Sequence, residues 1–230
     1  MSLWKRLFGG GKSDKNQPDI AIDLNNLAGL LQDTNRLAEA EPLYRRALKI
    51  SEQSYGENHP SVARDLNNLG QLLQATNRLA EAEPLMRRAL KIDEQSYGEN
   101  HPSVAISLNN LAGLLQDTNR LAEAEPLYRR ALKIDEQSYG ENHPDVAGDL
   151  NNLAVLLEAT NRLAEAEPLM RRNVEIFLKF TRNTGHAHPH LQDAVHNYAG
   201  LLQAMGRSGE EIRATMAELG RRYGVDLEGD

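Results

Sequence analysis

The stretch "DLNNLAGLLQDTNRLAEAEPLYRRALKI", residues 23–50, decides the fold. Leu24, Leu27, Ala28 and Leu31 recur at the spacing of one helix face. "DTN" at residues 33–35 interrupts that pattern. It resumes with Ala40, Leu43, Tyr44, Ala47 and Ile50 on the buried side of a second helix. The spacing therefore predicts a helix pair over about residues 18–32 and 37–55. Pro18 suits a first helical turn, where its missing N–H is not needed. Gly56 can supply the left-handed residue that ends the second helix. Pro42 deletes one backbone bond, to the Ala38 carbonyl, and predicts a slight bend without a break.

The pair repeats. Pro18, Pro60, Pro102 and Pro144 are spaced by 42 residues, as are Pro42, Pro84, Pro126 and Pro168. "GENHP" closes three units, and a fourth junction, "TGHAHP", is three residues longer and ends at Pro189. A degenerate fifth unit follows. The predicted units are 18–59, 60–101, 102–143, 144–188 and 189–224, between a segment 1–17 and an acidic tail 225–230. Units one and three differ only at Asp19/Ser103, Ile20/Val104, Asp23/Ser107 and Ser51/Asp135. Units two and four share "ATNRLAEAEPLMRR", so an 84-residue pair was copied. Ala28, Ala40 and Ala47 recur as Gly70, Ala82 and Ala89, then as Ala112, Ala124 and Ala131. Such small residues mark helix crossing points. "NVEIFLKF" at residues 173–180 replaces the usual "ALKIDEQS" and predicts local repacking against the divergent last unit.

Composition narrows the function. A net charge of −7 argues against general nucleic-acid binding, which needs a basic face. The chain has no cysteine, which excludes disulfides, zinc thiolate sites and thiol catalysis. No run approaches the roughly 20 apolar residues of a membrane span, and the first residues lack a secretory h-region. A cytoplasmic protein is the expectation.

The spacing Ala28-x11-Ala40-x3-Tyr44-x2-Ala47 resembles the tetratricopeptide repeat. A 42-residue unit carrying "LNNLA", "AEPLYRRAL" and "G-x-x-HP" is similar to the kinesin light chain type of that repeat. The resemblance spans about Pro18 to Tyr223. It implies an all-α, right-handed α-solenoid of about five helix pairs, first helices lining a concave groove and second helices the convex side. It further implies a non-enzymatic scaffold that binds an extended peptide or partner segment in that groove.

On a helical wheel, Ile22, Asn25, Asn26, Gly29, Gln32 and Asp33 fall opposite the leucine seam or beside it. Stacked units then build two amide columns, Asn25, Asn67, Asn109, Asn151 and Asn26, Asn68, Asn110, Asn152, Asn197. Carboxamides donate and accept, and so can hold a peptide backbone without demanding a sequence. On the resemblance, these positions contact peptide ligands, together with Gln32, Arg64, Gln71, Gln74, Gln116 and Glu158. Gly29, Gly113 and Gly200 would leave room for the ligand. Alternatively the amides tie one repeat to the next, or the two columns divide these roles. Arg64 is the basic residue the first helices offer, whereas Asp33, Asp117, Glu158 and Asp193 suit a neutral or mildly basic segment.

Other signals are weaker. "GGGKS" at residues 9–13 lacks the earlier glycine and preceding strand of a phosphate-binding loop. His186, His188, His190 and His196 cluster, but His188 is the junction histidine seen as His59, His101 and His143, and no carboxylate set completes a metal site. Neither a nucleophile–base constellation nor a cofactor or small-molecule site is legible. "EAEPLYRR" reads as a solvated face with pairs such as Glu41–Arg45. Leu3, Trp4, Leu7 and Phe8 would share one side of a short helix beside Lys5 and Arg6. That segment, Met1 to Phe8, is either a weak membrane-surface or partner anchor, which would place a structural or self-assembly module, or it folds over the open end of repeat one or stays disordered.

Overall fold

The computed structural model describes residues 17–227. Among the described residues the elements are ten helices: α1 Gln17–Asp33, α2 Leu37–Tyr55, α3 Pro60–Ala75, α4 Leu79–Tyr97, α5 Pro102–Asp117, α6 Leu121–Tyr139, α7 Pro144–Ala159, α8 Leu163–Thr184, α9 Leu191–Ala204 and α10 Gly209–Tyr223. The fold class is all-α, a solenoid of helix pairs. The chain divides into two compact units, ending and beginning at Thr118 and Asn119, between the two helices of the third 42-residue repeat. The N-terminal segment through Phe8 and the last three residues of the acidic tail lie outside the described residues.

In the first unit α1 packs on α2 and α3 on α4, while α2 and α4 also meet the first helix of the next repeat. Ala21, Leu24, Ala47 and Ile50 form one core, with Ile20, Leu27 and Leu43 against it. Val62, Ala63, Leu66, Ala89 and Ile92 form the next, and Leu48 of the preceding repeat packs into it. The first cluster lies within one helix pair, whereas the second draws in a side chain of the pair before it, the nearest-neighbour contact on which a repeat array depends.

Ala28, Ala40, Ala47, Ala82 and Ala89 are fully buried, as expected where helices cross. At Gly70 a Cβ would lie 2.9 Å from Met86 Cγ. The fourth repeat nonetheless joins Ala154 to Met170, both buried. A thioether side chain adapts its rotamer readily, and a glycine inside a helix costs about 1 kcal/mol relative to alanine. Gly70→Ala is therefore expected to leave the melting temperature unchanged or raise it. A fall of several degrees would show that Met86 cannot move as Met170 has.

In the second unit α6 packs on α7, α7 on α8, α8 on α9, and α10 on both α8 and α9. Helix α8 is longer than its counterparts, and the divergent "NVEIFLKF" stretch buries Asn173, Val174, Ile176, Phe177 and Leu178. Phe177 stacks on His188 with centroids 4.3 Å apart, and Phe180 meets the same ring edge-on. Ser208 and Glu211 form a reciprocal capping box that starts α10.

The repeated helix ends have repeated causes. His59, His101 and His143 accept through Nδ1 from the backbone N–H of Ser61, Ser103 and Asp145, with proline at the first helical position. Each ring stacks on the tyrosine that ended the helix before: Tyr55 at 4.4 Å, Tyr97 at 4.3 Å and Tyr139 at 4.7 Å. Thr34, Thr76, Thr118 and Thr160 donate their hydroxyls to the last leucine carbonyls of the first helices. Asn35, Asn77, Asn119 and Asn161 then take positive φ, 57 to 58°, a conformation that asparagine tolerates better than most residues. Gly56 differs from the expectation. Its φ of 87° is positive, but ψ is 160°, so it occupies the extended region open to glycine alone rather than the left-handed helical well. The second helices run through Pro42, Pro84, Pro126 and Pro168 without interruption.

Candidate functional site

Asn25 sits one residue after Leu24 and therefore at the edge of the apolar seam. Only 8% of it is exposed. Its amide donates to the Ala21 carbonyl and, at 2.8 Å, to Asp65 of the next repeat. Asp65 also accepts from the Ser51 hydroxyl at 2.5 Å, and its own helical neighbour Arg64 lies 3.1 Å away. One step on, Asn67 donates to Ser107 at 2.8 Å, and Ser107 donates to Asp93 at 2.6 Å. Burial pushes the Asp93 carboxyl up, and the Ser107 hydroxyl partly offsets it. These are polar ties buried between repeats, each closing three side chains from three successive helices.

Asn25 and Asn67 thus take the repeat-linking role, at the edge of the groove face rather than free on it. A wheel drawn for one helix omits the neighbouring first helix, which covers them. Arg64 stays exposed on this face, and its guanidinium also reaches the buried Asp65.

The second column behaves differently. Asn26 is exposed, and Asn68, Asn110, Asn152 and Asn197 are half-buried. Asn68 donates to Asn25 at 3.4 Å, and Asn197 donates to Asn151 at 3.0 Å. In the equivalent place between them, Asn110 Nδ2 and Asn67 Oδ1 are both buried and have no hydrogen-bond partner. Gln71 donates to Asn110 Oδ1 at 2.8 Å, and Gln74 donates to Asp117 at 2.7 Å. Gln32 accepts weakly from the Tyr44 hydroxyl at 3.3 Å. Asn109, Gln116, Asn151 and Glu158 are half-buried at the corresponding positions.

Two clefts open on this face of the first unit. One, of about 450 Å³, lies between α3 and α5 and is walled by Arg64, Asn67, Asn68, Gln71, Ile106 and Asn110 among others. The other, of about 520 Å³, runs beside α1 past Ile22, Asn26, Gly29, Leu30, Asp33 and Tyr44. Ile22, Leu30 and Ile106 are large apolar side chains left in solvent, Leu30 at 65% exposure. At Gly29 an added Cβ would stand 3.7 Å from the Tyr44 hydroxyl, and at Gly200 it would meet nothing within 4 Å.

The second helices carry the charge. Glu41 pairs with Arg45 one turn on, as expected, and also with Arg78 of the next repeat at 2.8 Å. Arg78 and Arg45 together hold the Glu41 carboxyl below the usual carboxylate range. Glu125 repeats this with Arg162 and Arg129 in the second unit. Arg88 to Glu52 and Arg172 to Glu136 are further ties between repeats. Exposed pairs of this sort contribute at most about 1 kcal/mol each. Among the described residues no group of three or more His, Asp or Glu is arranged to hold a metal ion, and no helix is long and apolar enough to cross a membrane.

Helix pairs of one kind, joined edge to edge through polar ties, define an α-solenoid repeat protein. The model of the Tetratricopeptide repeat family matches residues 19–95, 77–137 and 103–179, and the chain belongs to that family. Among solved structures it is similar to BtubC (BKLC) from P. vanneervenii, at 26% identity over 89% of this chain and 80% of that one, with a TM-score of 0.74. It is also similar to a putative kinesin light chain of nearly identical TPR-like repeats from Podosopora anserina, at 24% identity over 90% and 96% of the two chains, with a TM-score of 0.71. YrrB, a TPR protein with an unusual peptide-binding site, aligns at 18% identity over 90% and 89% of the two chains, with a TM-score of 0.51. No curated protein sequence matches the chain significantly. Tetratricopeptide repeats commonly mediate protein–protein interaction and are generally non-enzymatic.

Proposed function

We propose that the chain is a scaffold that binds an extended segment of a partner protein along the exposed face of its first helices. The observation that carries this reading is the α3–α5 cleft of about 450 Å³, walled by the amide side chains Asn67, Asn68, Gln71 and Asn110 beside exposed Ile106. An extended peptide presents alternating N–H and C=O groups, and carboxamides on neighbouring helices match both. Asn26, Asn68, Gln71 and Asn110 supply the amides, and Ile22, Leu30 and Ile106 supply apolar contact for alternate side chains. With Arg64 paired to Asp65, the charge left at the ends of α1 and α5 is that of Asp33 and Asp117. A neutral or mildly basic, apolar-containing segment fits this surface better than an acidic one. Asn152, Glu158 and Asn197 give the second unit a related face.

Panning a random peptide library against the wild type and measuring the selected peptides by fluorescence anisotropy tests the idea. Replacing Asn68 and Asn110 together with alanine is expected to weaken binding about tenfold, the effect of losing one or two net hydrogen bonds. Thermal stability should change little, because the ties these side chains make to the preceding repeat are long, 3.4 Å from Asn68 to Asn25, or exposed, from Gln71 to Asn110. Undiminished affinity in the folded double variant would rule the cleft out.

A further inference from the structure

The first repeat differs from its copies on one side. Leu30 holds the place of Leu72, Leu114 and Leu156, which are 0%, 1% and 1% exposed, yet it is itself 65% exposed. Ile20 and Leu27 are half-buried, whereas Val62 and Leu69, their counterparts in the second repeat, are buried. Among the described residues, what the later copies have and the first does not is a helix pair ahead of them. Leu48 of the first repeat reaches the core of the second in that way. The open side of α1 therefore presents half of a seam, an apolar stripe of Ile20, Leu27 and Leu30.

The polar half of the seam is there too. Asp65 is fully buried, and Asn25 and Ser51 of the preceding pair donate to it. Asp23 occupies the same place in α1 and is half-buried. With Asp19 and Asp33 it gives α1 three carboxylates and no basic residue.

Residues 1–16 run directly into α1 and lie outside the described residues. Their chemistry is the complement of this side. Lys5, Arg6, Lys12 and Lys15 outnumber Asp14, and Leu3, Trp4, Leu7 and Phe8 fall at spacings that a helix would place on one side. Eight residues, 9–16, separate Phe8 from α1, and extended chain covers up to about 3.3 Å per residue. Ile20 and Leu30 stand ten residues apart, about 15 Å along a helix. The segment is long enough to turn back along the whole stripe. A repeat array needs a polar or covered face at each end, and the far end is closed by the chain itself. There Val225 donates its backbone N–H to the Gly220 carbonyl at 2.9 Å, and an added Cβ on Gly220 would stand 3.4 Å from Leu227.

We propose that Met1–Phe8 folds back over Ile20, Leu27 and Leu30 and takes the place of a preceding repeat, with Lys5 and Arg6 set against Asp19 and Asp23. The array is then capped at its first end by its own leading segment. The α3–α5 cleft is left open, so this inference goes beyond partner binding there and can fail without it. A partner segment that reached Ile22 and Leu30 would have to displace Met1–Phe8.

Trp4 is the single tryptophan of the chain, so its fluorescence reports on this segment alone. In the whole chain, at concentrations where light scattering gives a monomer, Trp4 emission should be blue-shifted relative to the isolated peptide 1–16. Acrylamide should quench it less than in that peptide. Leu30→Asp and Asp23→Lys should each move the emission to the red and restore quenching, with the helical circular dichroism unchanged. Quenching equal to that of the peptide in the wild type would overturn the proposal. So would protection that both variants leave intact, protection lost when a dimer is diluted, or protection that arises only with anionic phospholipid vesicles.

Discussion

Asp65→Ala is expected to lower the unfolding free energy of the first unit by about 2–4 kcal/mol, although it removes no apolar contact. Asp65 is fully buried and receives Asn25, Ser51 and its neighbour Arg64. Removing it leaves one of the two Asn25 amide hydrogens (the other faces the Ala21 carbonyl) and the Ser51 hydroxyl inside the protein without an acceptor, and each such orphan costs about 1–3 kcal/mol. Asp65→Asn keeps one oxygen acceptor and should cost less. Because the three groups act as one unit, Asn25→Ala and Asp65→Ala should not be additive, with a coupling of about 0.5–3 kcal/mol. Chemical denaturation of the two single variants and the double variant measures this. Strict additivity would mean that the tie contributes nothing beyond its parts.

The second large effect is steric. Leu66 is fully buried in the cluster that contains Val62, Ala63, Ala89 and Ile92. Leu66→Ala should cost about 2–5 kcal/mol, the range for a leucine cavity that its surroundings only partly refill. Leu48 enters this core from the repeat before, so the lesion weakens a seam as well as a pair. In an array held by nearest-neighbour contacts, damage spreads first to adjacent repeats. Hydrogen exchange should therefore quicken in α2, α3 and α4 before α8 and α9. Uniform acceleration over the whole chain would contradict nearest-neighbour stability.

Much of the fold was legible because its signals are local and repeated. Proline at the first turn, the leucine spacing and the "DTN" interruption placed α2 at residues 37–55, its observed bounds. The conformations that end the helices were harder to read. A glycine after a helix suggested the left-handed well, yet Gly56 turns the chain through the extended positive-φ region instead. The junction histidines had no role in the sequence reading. Their function depends on a proline after and a tyrosine four residues before, and "Y-G-E-N-H-P" contained that signal throughout.

The amide face was half legible. Period alone could not distinguish Asn25 from Asn26, because what separates them is the next repeat's helix lying over one and not the other. A sharper clue existed in the copies themselves. Where position 51 is serine its partner at 65 is aspartate, and where 93 is aspartate its partner at 107 is serine. That complementary exchange at a separation of 14 residues is the trace of a buried contact.

The same exchange makes the seams addressable. Neighbouring repeats are so alike that their apolar surfaces would accept the wrong partner almost as well as the right one. If the second repeat were lost, Ser51 would face Ser107, two hydroxyls with no carboxylate between them. If the second and third were lost together, Ser51 would face Asp149 and the match would be kept. The buried polar pair at the first seam thus acts as a parity check on a chain built by copying, keeping its match after a loss of 84 residues and losing it after a loss of 42.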